Sequence, residues 1–185
     1  MLLRASEKIL KDGTKILIQR LEETHHRGAF TCSRHPVLAD FLNKHALQNA
    51  NLGLSRTYVV TLPESNDVIG FCSLSNGSIS PKVLPNEGKG LPRYDLPTAH
   101  IGRFAIDDKW QCKGLGGTLL FFALEVIVDA SERLAAYVID VFAKDQVAAD
   151  FYMHNGFSPL RDDALHLFLP MKHAKIALAA AKSVE

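Results

Sequence analysis

Glycines 114, 116 and 117 lie in the run Trp110-Gln111-Cys112-Lys113-Gly114-Leu115-Gly116-Gly117-Thr118, where they can gather several backbone N–H groups on one point. The run follows a strand-like segment, His100 to Asp107, and opens a strongly apolar, helix-like one. At a helix N-terminus the unpaired amide donors and the helix dipole together attract an anion, and a diphosphate fits there without any lysine. Two familiar phosphate loops are excluded. The dinucleotide fingerprint needs a glycine at position 119, which is Leu, and the P-loop needs Lys-Ser or Lys-Thr where Gly117-Thr118 stands. Side chains at Gly114 or Gly116 would obstruct close ligand approach. Lys113 reads equally well as an anion contact or as a solvated loop lysine.

The elements that must hold this loop can be read from periodicity. Lys15 to Leu21 is a first strand, and Pro36 to Ala50 a helix with apolar positions at helical spacing and Pro36 in its first turn. Arg56 to Leu62 and Val68 to Ser75 form a hairpin-like pair around the turn Pro63-Glu64-Ser65-Asn66-Asp67. Residues 80–97 make a long connection bearing four prolines with Lys82, Lys89 and Arg93, the length of a functional loop. A strand ending at Ile106 precedes the glycine loop, and a helix from Leu115 to Ala130 follows it. Then come a strand over Ala135 to Phe142, a helix from the N-cap Asp145 to His154, and short strands near Phe157 and over Leu165 to Leu169. An alanine-rich helix from His173 to Val184 is a candidate dimer contact. The expected architecture is one mixed α/β domain over 1–185.

Composition bounds the function classes. The chain has 185 residues, 47% hydrophobic and 22% charged, and a net charge of +1, which argues against a strongly basic nucleic-acid binder but not a local basic patch. Three cysteines without a C-x-x-C spacing point to a reducing setting with neither disulfides nor a zinc site. No signal peptide or membrane span is legible, so a soluble, cytoplasmic protein is expected. His25-His26 reads as a surface pair rather than a metal site.

Gln111-x-x-Gly114-x-Gly116 resembles the acyl-CoA pyrophosphate loop of the GCN5-related N-acetyltransferase (GNAT) superfamily. Ala148-Ala149-Asp150-Phe151-Tyr152-Met153-His154-Asn155-Gly156-Phe157 resembles a second element of that family, A-x-x-F-Y-x-x-x-G-F, at the usual distance. The order of elements is similar too, over residues 15 to 171. Cys32, Leu38 to Leu42, Gly53-Leu54-Ser55-Arg56-Thr57, His100 to Asp107 and Leu167-Phe168-Leu169-Pro170-Met171 look like the bacterial toxin branch. Those toxins acetylate the amino group of aminoacyl-tRNA and are usually neutralised by a small ribbon-helix-helix antitoxin. Two departures stand out: Ser33 replaces the glycine usual after the cysteine, with a one-residue insertion before Leu38, and the net charge of +1 is lower than an RNA-modifying toxin leads one to expect.

The resemblance implies a GNAT fold: a single mixed, mostly antiparallel sheet with splayed central strands and flanking helices. It implies acetyl-CoA as cosubstrate and no metal. Main-chain groups of Phe104, Ala105 and Ile106 would bind the pantetheine arm and thioester carbonyl. Gln111, Lys113, Gly114, Leu115, Gly116, Gly117 and Thr118 would form the diphosphate cradle. Tyr152 would be the general acid for the departing thiolate, the other reading being an aromatic core residue between Phe151 and Phe157. A thiol near 8.5 can be protonated by a tyrosine near 10 held within reach, both values being about those of the free groups. No carboxylate stands out as a general base, Asp107 and Asp108 lying at a strand end and Asp140 and Asp145 reading as strand and cap residues. An α-amine, with pKa about 7.7–8.0, needs less help than a lysine at about 10.4, which favours an aminoacyl-tRNA acceptor. Arg34, Lys44, Lys89 and Arg93 are the candidate RNA contacts. A metabolic or protein acetyltransferase, and a non-catalytic CoA-binding module, remain as alternatives.

Overall fold

The computed structural model describes residues 5–85 and 90–182. Its strands are β1 (Ser6–Ile9), β2 (Lys15–Arg20), β3 (Arg56–Thr61), β4 (Gly70–Ile79), β5 (Leu96–Ile106), β6 (Val138–Phe142), β7 (Ser158–Pro159) and β8 (His166–Pro170). Its helices are α1 (Pro36–Lys44), α2 (Ala46–Asn51), α3 (Leu115–Ser131), α4 (Gln146–His154) and α5 (Met171–Lys182). The strands form one eight-stranded sheet in the order β1-β2-β3-β4-β5-β6-β8-β7. The β1·β2, β2·β3, β3·β4, β6·β8 and β7·β8 pairs are antiparallel and β5·β6 is parallel, the mixed sheet expected of the resemblance.

By contact density the chain divides into two compact units, Met1–Ser75 with Gly102–Ala123, and Asn76–Ile101 with Leu124–Glu185. In the first, β2 alternates exposed and buried positions as a half-covered strand must, with Ile16 and Ile18 wholly buried. Leu38 and Leu42 of α1 pack with Leu21, Phe30, Cys32, Val59, Phe71 and Ala105 in one cluster. Edge-on and stacked contacts of Phe30 and Phe41 with Phe71, at 5.5 and 6.2 Å, tie that cluster together. In the second unit, Ile79, Leu84, Leu96, Val138, Leu160 and Phe168 form a separate cluster.

Several expectations shift. β1 was not legible in the sequence: Ser-Glu-Lys-Ile carries little apolar signal, and the strand exists because its backbone pairs with β2 from Ser6↔Ile18 to Ile9↔Lys15. The single helix expected over Pro36 to Ala50 breaks at His45, whose φ of −120° is not helical. Neither proline nor glycine marks that break, and nothing in the residue types explains it. β4 runs on to Ile79, past the expected Ser75, and β5 starts at Leu96, so the long connection still begins at residue 80 and is shorter only at its C-terminal end; Pro81–Val83 within it is a 3-10 turn. The C-terminal helix begins at Met171. Asp145 is the N-cap expected, its Oδ1 accepting from the Ala148 N–H at 2.8 Å. No helix among the described residues is long and apolar enough to cross a membrane.

The glycine loop is positioned by β5. The ladder of this strand with β6 runs from Thr98↔Val138 to Ile101↔Val141, while the strand itself continues to Ile106. The run from Gly102 to Ile106 thus lies beyond that register and leads straight into the glycine loop.

Candidate active site

The glycine loop is built from the end of β5 outward. Asp107, 5% exposed, ends the strand with its N–H on the Ile69 carbonyl at 3.0 Å. Its Oδ1 accepts from the Lys109 N–H at 3.0 Å, which caps a 3-10 turn over Asp108–Trp110. Gln111 then turns back, its Nε2 donating to the Ile106 carbonyl and to Asp108 Oδ1, both at 3.2 Å. That side chain therefore shapes the loop. The Lys113 ammonium stands over the Trp110 ring at 4.7 Å, a cation–π contact that holds it against the loop.

Two residues here have positive φ, Cys112 at 60° and Gly114 at 81°. Gly114 occupies the left-handed region at no cost, where an L side chain is strained by about 1–2 kcal/mol. α3 starts directly after it. Leu115 is wholly buried and anchors the helix, whereas Gln111 to Gly114 are exposed. The first-turn N–H groups of a helix have no intrahelical partners, so those after Gly114 point out of the N-terminus. The Thr118 N–H and hydroxyl already bond the Gly114 carbonyl, at 3.2 and 3.3 Å, and hold the turn closed. A Cβ built on Gly114 or Gly117 meets no atom within 4 Å, so this cradle is open, as an anion requires. α3 is apolar all round, with Leu119, Leu120, Phe122 and Ala123 at most 1% exposed, so its N-terminus is firmly fixed.

Gly114→Ala is expected to cost about 1–2 kcal/mol of stability through backbone strain and to raise the KM for acetyl-CoA. Gly117→Ala is the counterpart: with open space and a helical position it should leave the melting temperature unchanged or slightly raised. A fall in acetyl-CoA affinity in the latter variant then reports how closely the ligand approaches. Calorimetric titration with thermal unfolding checks both.

Of the other β5 residues, Ala105 is buried in the α1 cluster, and Phe104 and Ile106 are partly buried. Arg103, not singled out from the sequence, is exposed, donates to the Gly102 carbonyl at 2.6 Å and stands 5.2 Å over the Phe41 ring of α1. Its place between two less exposed strand residues was the available signal. Arg34 is exposed just before α1, and Lys44 is paired with Asp40 one turn earlier. Arg93 is exposed in the second unit, and Lys89 lies outside the described residues.

Tyr152 sits on α4 in the second unit, 4% exposed, with edge-on contacts to Phe151 at 5.2 Å and Phe157 at 5.5 Å. Its carbonyl accepts from the Asn155 and Phe157 N–H groups, closing the helix where Gly156, φ 89°, turns the chain.

The carboxylates expected at the strand end are both occupied. Asp107 Oδ2 accepts from the Thr31 N–H at 2.8 Å and hydroxyl at 3.2 Å, and Asp108 holds Ser33. Nor is a buried thiol a nucleophile. Complete burial pushes Cys72 up to about 12, and burial also raises Cys32, so neither is a thiolate near neutral pH. His25 corrects an expectation: it is 5% exposed, not a surface residue, and its Nδ1 accepts from the Glu22 N–H at 2.9 Å. Desolvation lowers its pKa. His26 is exposed and pairs with Asp67. Among the described residues no group of three or more His, Cys, Asp or Glu side chains is arranged to hold a metal ion.

A cluster the sequence did not reveal lies in the second unit. Asp140, 4% exposed on β6, accepts at a single oxygen, Oδ2, from His100 Nδ1 of β5 at 2.9 Å and from His166 Nε2 of β8 at 3.0 Å. A carboxylate only accepts, so both facing ring nitrogens carry protons. Phe142 stacks on His166 with ring centroids 3.7 Å apart.

The β5 strand leads into an open, glycine-formed helix N-terminus in a mixed sheet of this order, the arrangement the resemblance implies for an acyl-CoA-dependent acetyltransferase, and residues 17–157 match the Acetyltransferase (GNAT) family. The chain belongs to that family and is an N-acetyltransferase with acetyl-CoA as its cosubstrate. Within it, the chain is 35% identical over 143 residues to the tRNA-acetylating toxin of Mycobacterium tuberculosis (strain ATCC 25618 / H37Rv), across 77% of this chain and 85% of that protein. It is also similar to the structure of AtaT complexed with acetyl-methionyl-tRNAfMet, with a TM-score of 0.81 and 26% identity over 88% of this chain and 98% of that one. AtaTR bound with AcCoA is similar at a TM-score of 0.77 and 27% identity, over 88% of this chain and 97% of that one.

Proposed function

We propose that this protein transfers the acetyl group of acetyl-CoA to the α-amine of an aminoacyl-tRNA, as the toxin of a toxin–antitoxin pair. The observation that carries the reading is the open helix N-terminus behind Gly114, in a chain that aligns over 77% of its length with a tRNA-acetylating toxin. The likeness to a structure of AtaT with an acetylated aminoacyl-tRNA supports the same acceptor. The family match from 17 to 157 runs through both compact units, which supports one catalytic domain.

Bound acetyl-CoA supplies an activated acetyl thioester. The residues after Gly114 hold its diphosphate through main-chain N–H groups and the helix dipole, and the main chain of Phe104, Ala105 and Ile106 lines its arm. The acceptor nitrogen attacks the thioester carbonyl, a C–N bond forms and the C–S bond breaks. Tyr152 gives its proton to the departing sulfur, and the proton lost by the amine returns to the tyrosinate through water. Transfer is direct, without an acyl-enzyme, in keeping with the raised pKa values of the two buried thiols. With Asp107 and Asp108 engaged in loop bonds, an acceptor that is already partly neutral suits the site, which favours an α-amine over a lysine. Arg34 and Arg93 contact tRNA phosphates, and Lys44 joins them by leaving Asp40. The partner is a ribbon-helix-helix antitoxin, α5 is the contact of a homodimer, and the setting is the cytoplasm.

The test is transfer of [14C]acetyl from acetyl-CoA into a pool of charged tRNAs. Label appearing in aminoacyl-tRNA and resisting deacylation as N-acetyl-aminoacyl-tRNA is the expected result. Turnover on small amines or proteins, with no label in charged tRNA, would move the acceptor to another class.

A further inference from the structure

The segment from Thr31 to His35 runs into α1, and α1 starts without a side-chain cap: its N-cap residue, His35, makes no such bond, and its first turn holds no acidic residue. What fixes this segment instead comes from the glycine loop. Asp108 accepts from the Ser33 N–H at 2.9 Å and from the Ser33 hydroxyl at 2.6 Å, both at Oδ2, and its own N–H donates to the Thr31 carbonyl at 3.1 Å. Its Oδ1 accepts from the Ser33 N–H at 3.1 Å and from Gln111. The Ser33 bonds hold the Asp108 carboxyl below its ordinary pKa. Asp107 adds the two Thr31 bonds from the buried side, and Cys32, 7% exposed, packs into the α1 cluster. One residue of this latch, Ser33, stands where the resemblance has a glycine, which could offer an amide but no hydroxyl.

Building on the proposed acceptor, we propose that Ser33 and Asp108 are positioning residues for the RNA. Together they fasten the segment that carries Arg34 to the donor loop, so that its cation is held in place before the acceptor arrives. A short hydrogen bond from a hydroxyl to a carboxylate is charge-assisted and directional. Loss of it leaves only the Ser33 N–H on the Asp108 carboxylate and so loosens the exposed half of the segment, while Asp107 and Cys32 keep the other half in place. The effect should therefore fall on acceptor binding and spare the chemical step.

The experiment compares wild type with Ser33→Ala, Ser33→Thr, Asp108→Asn and the Ser33→Ala/Asp108→Asn pair in acetyl transfer to aminoacyl-tRNA, with acetyl-CoA affinity and melting temperature measured alongside. Ser33→Ala is expected to raise the KM for aminoacyl-tRNA about threefold to tenfold, the loss of one hydrogen bond, with kcat and acetyl-CoA affinity within about twofold. Ser33→Thr, which keeps the hydroxyl, should restore the wild-type KM, and the double variant should be no worse than Asp108→Asn alone. An unchanged acceptor KM in Ser33→Ala overturns the proposal, as does a loss confined to acetyl-CoA affinity, which would make the latch a donor-loop brace only. A wild-type protein that labels no aminoacyl-tRNA overturns the acceptor reading and this proposal together; a wild type that labels it beside an unaffected Ser33→Ala overturns this proposal alone.

Discussion

Tyr152→Phe is expected to lower kcat for acetyl transfer by about 10²- to 10⁴-fold, the range for loss of a positioned general acid. Acetyl-CoA affinity should change little. Phenylalanine keeps the ring and hence the edge-on packing against Phe151 and Phe157, so the fold around α4 survives. The two readings of this residue separate cleanly here. A tyrosine that serves only as core filler loses at most about 1 kcal/mol or so as phenylalanine and transfers acetyl at nearly the wild-type rate. One that protonates the leaving sulfur loses rate with no matching loss of stability. Steady-state kinetics with thermal unfolding of the same preparation decides it, and a kcat within about threefold of wild type removes Tyr152 from the chemistry.

Asp140→Ala carries the largest expected effect on stability. Removal of this carboxylate strands the buried N–H of His166, at about 1–3 kcal/mol, and the part-buried N–H of His100, at about 1 kcal/mol, for a total loss of about 2–4 kcal/mol. For a chain of this size that is a fall in melting temperature of roughly 5–15 °C. The same cluster gives a pH dependence with a definite sign. Burial pushes the Asp140 carboxyl up, but its bonds with His100 and His166 outweigh that and hold it below its ordinary value. A carboxyl lower in the folded than in the unfolded chain stabilises the fold above its unfolded pKa, and that stabilisation is lost as pH falls below about 4. Urea unfolding between pH 6 and pH 3 should therefore show a steeper acid loss in wild type than in Asp140→Asn. Equal slopes would show that the imidazoles are not what keeps the carboxylate charged.

Much of the site is legible in the sequence because its signals are local. Gly114 reports a backbone conformation that only its own φ requires, and Asp145 caps a helix three residues away. The hairpin of β3 and β4 was legible for the same reason, from two alternating runs around one turn. Where the physics is long-range, the sequence was mute. Asp140 meets its two histidines only because the sheet sets His100 beside Asp140 and His166 beside Phe142; in the sequence all three are polar residues in plain strands. Ser33 and Asp108 are 75 residues apart, and one of them reads merely as a departure from a glycine. His25 looked like half of a surface pair because nothing nearby announces that the Glu22 turn closes over it. Ser6–Ile9 has too little hydrophobic contrast to declare itself a strand and is defined by its neighbour.

The cysteines also decide how this enzyme can be assayed. Cys32 and Cys72 are buried and Cys112 is exposed, on the donor loop itself. Thiol-reactive dyes, the usual means of counting released CoA, will count Cys112 as well, and will place a bulky adduct two residues from Gly114. A progress curve followed that way would mix product formation with self-inflicted inhibition. Reading the acetylated product, or working in a Cys112→Ser background, keeps the two apart. The same exposed sulfur turns to advantage when a fluorophore is wanted, because it gives one addressable atom on the donor loop in an otherwise native chain.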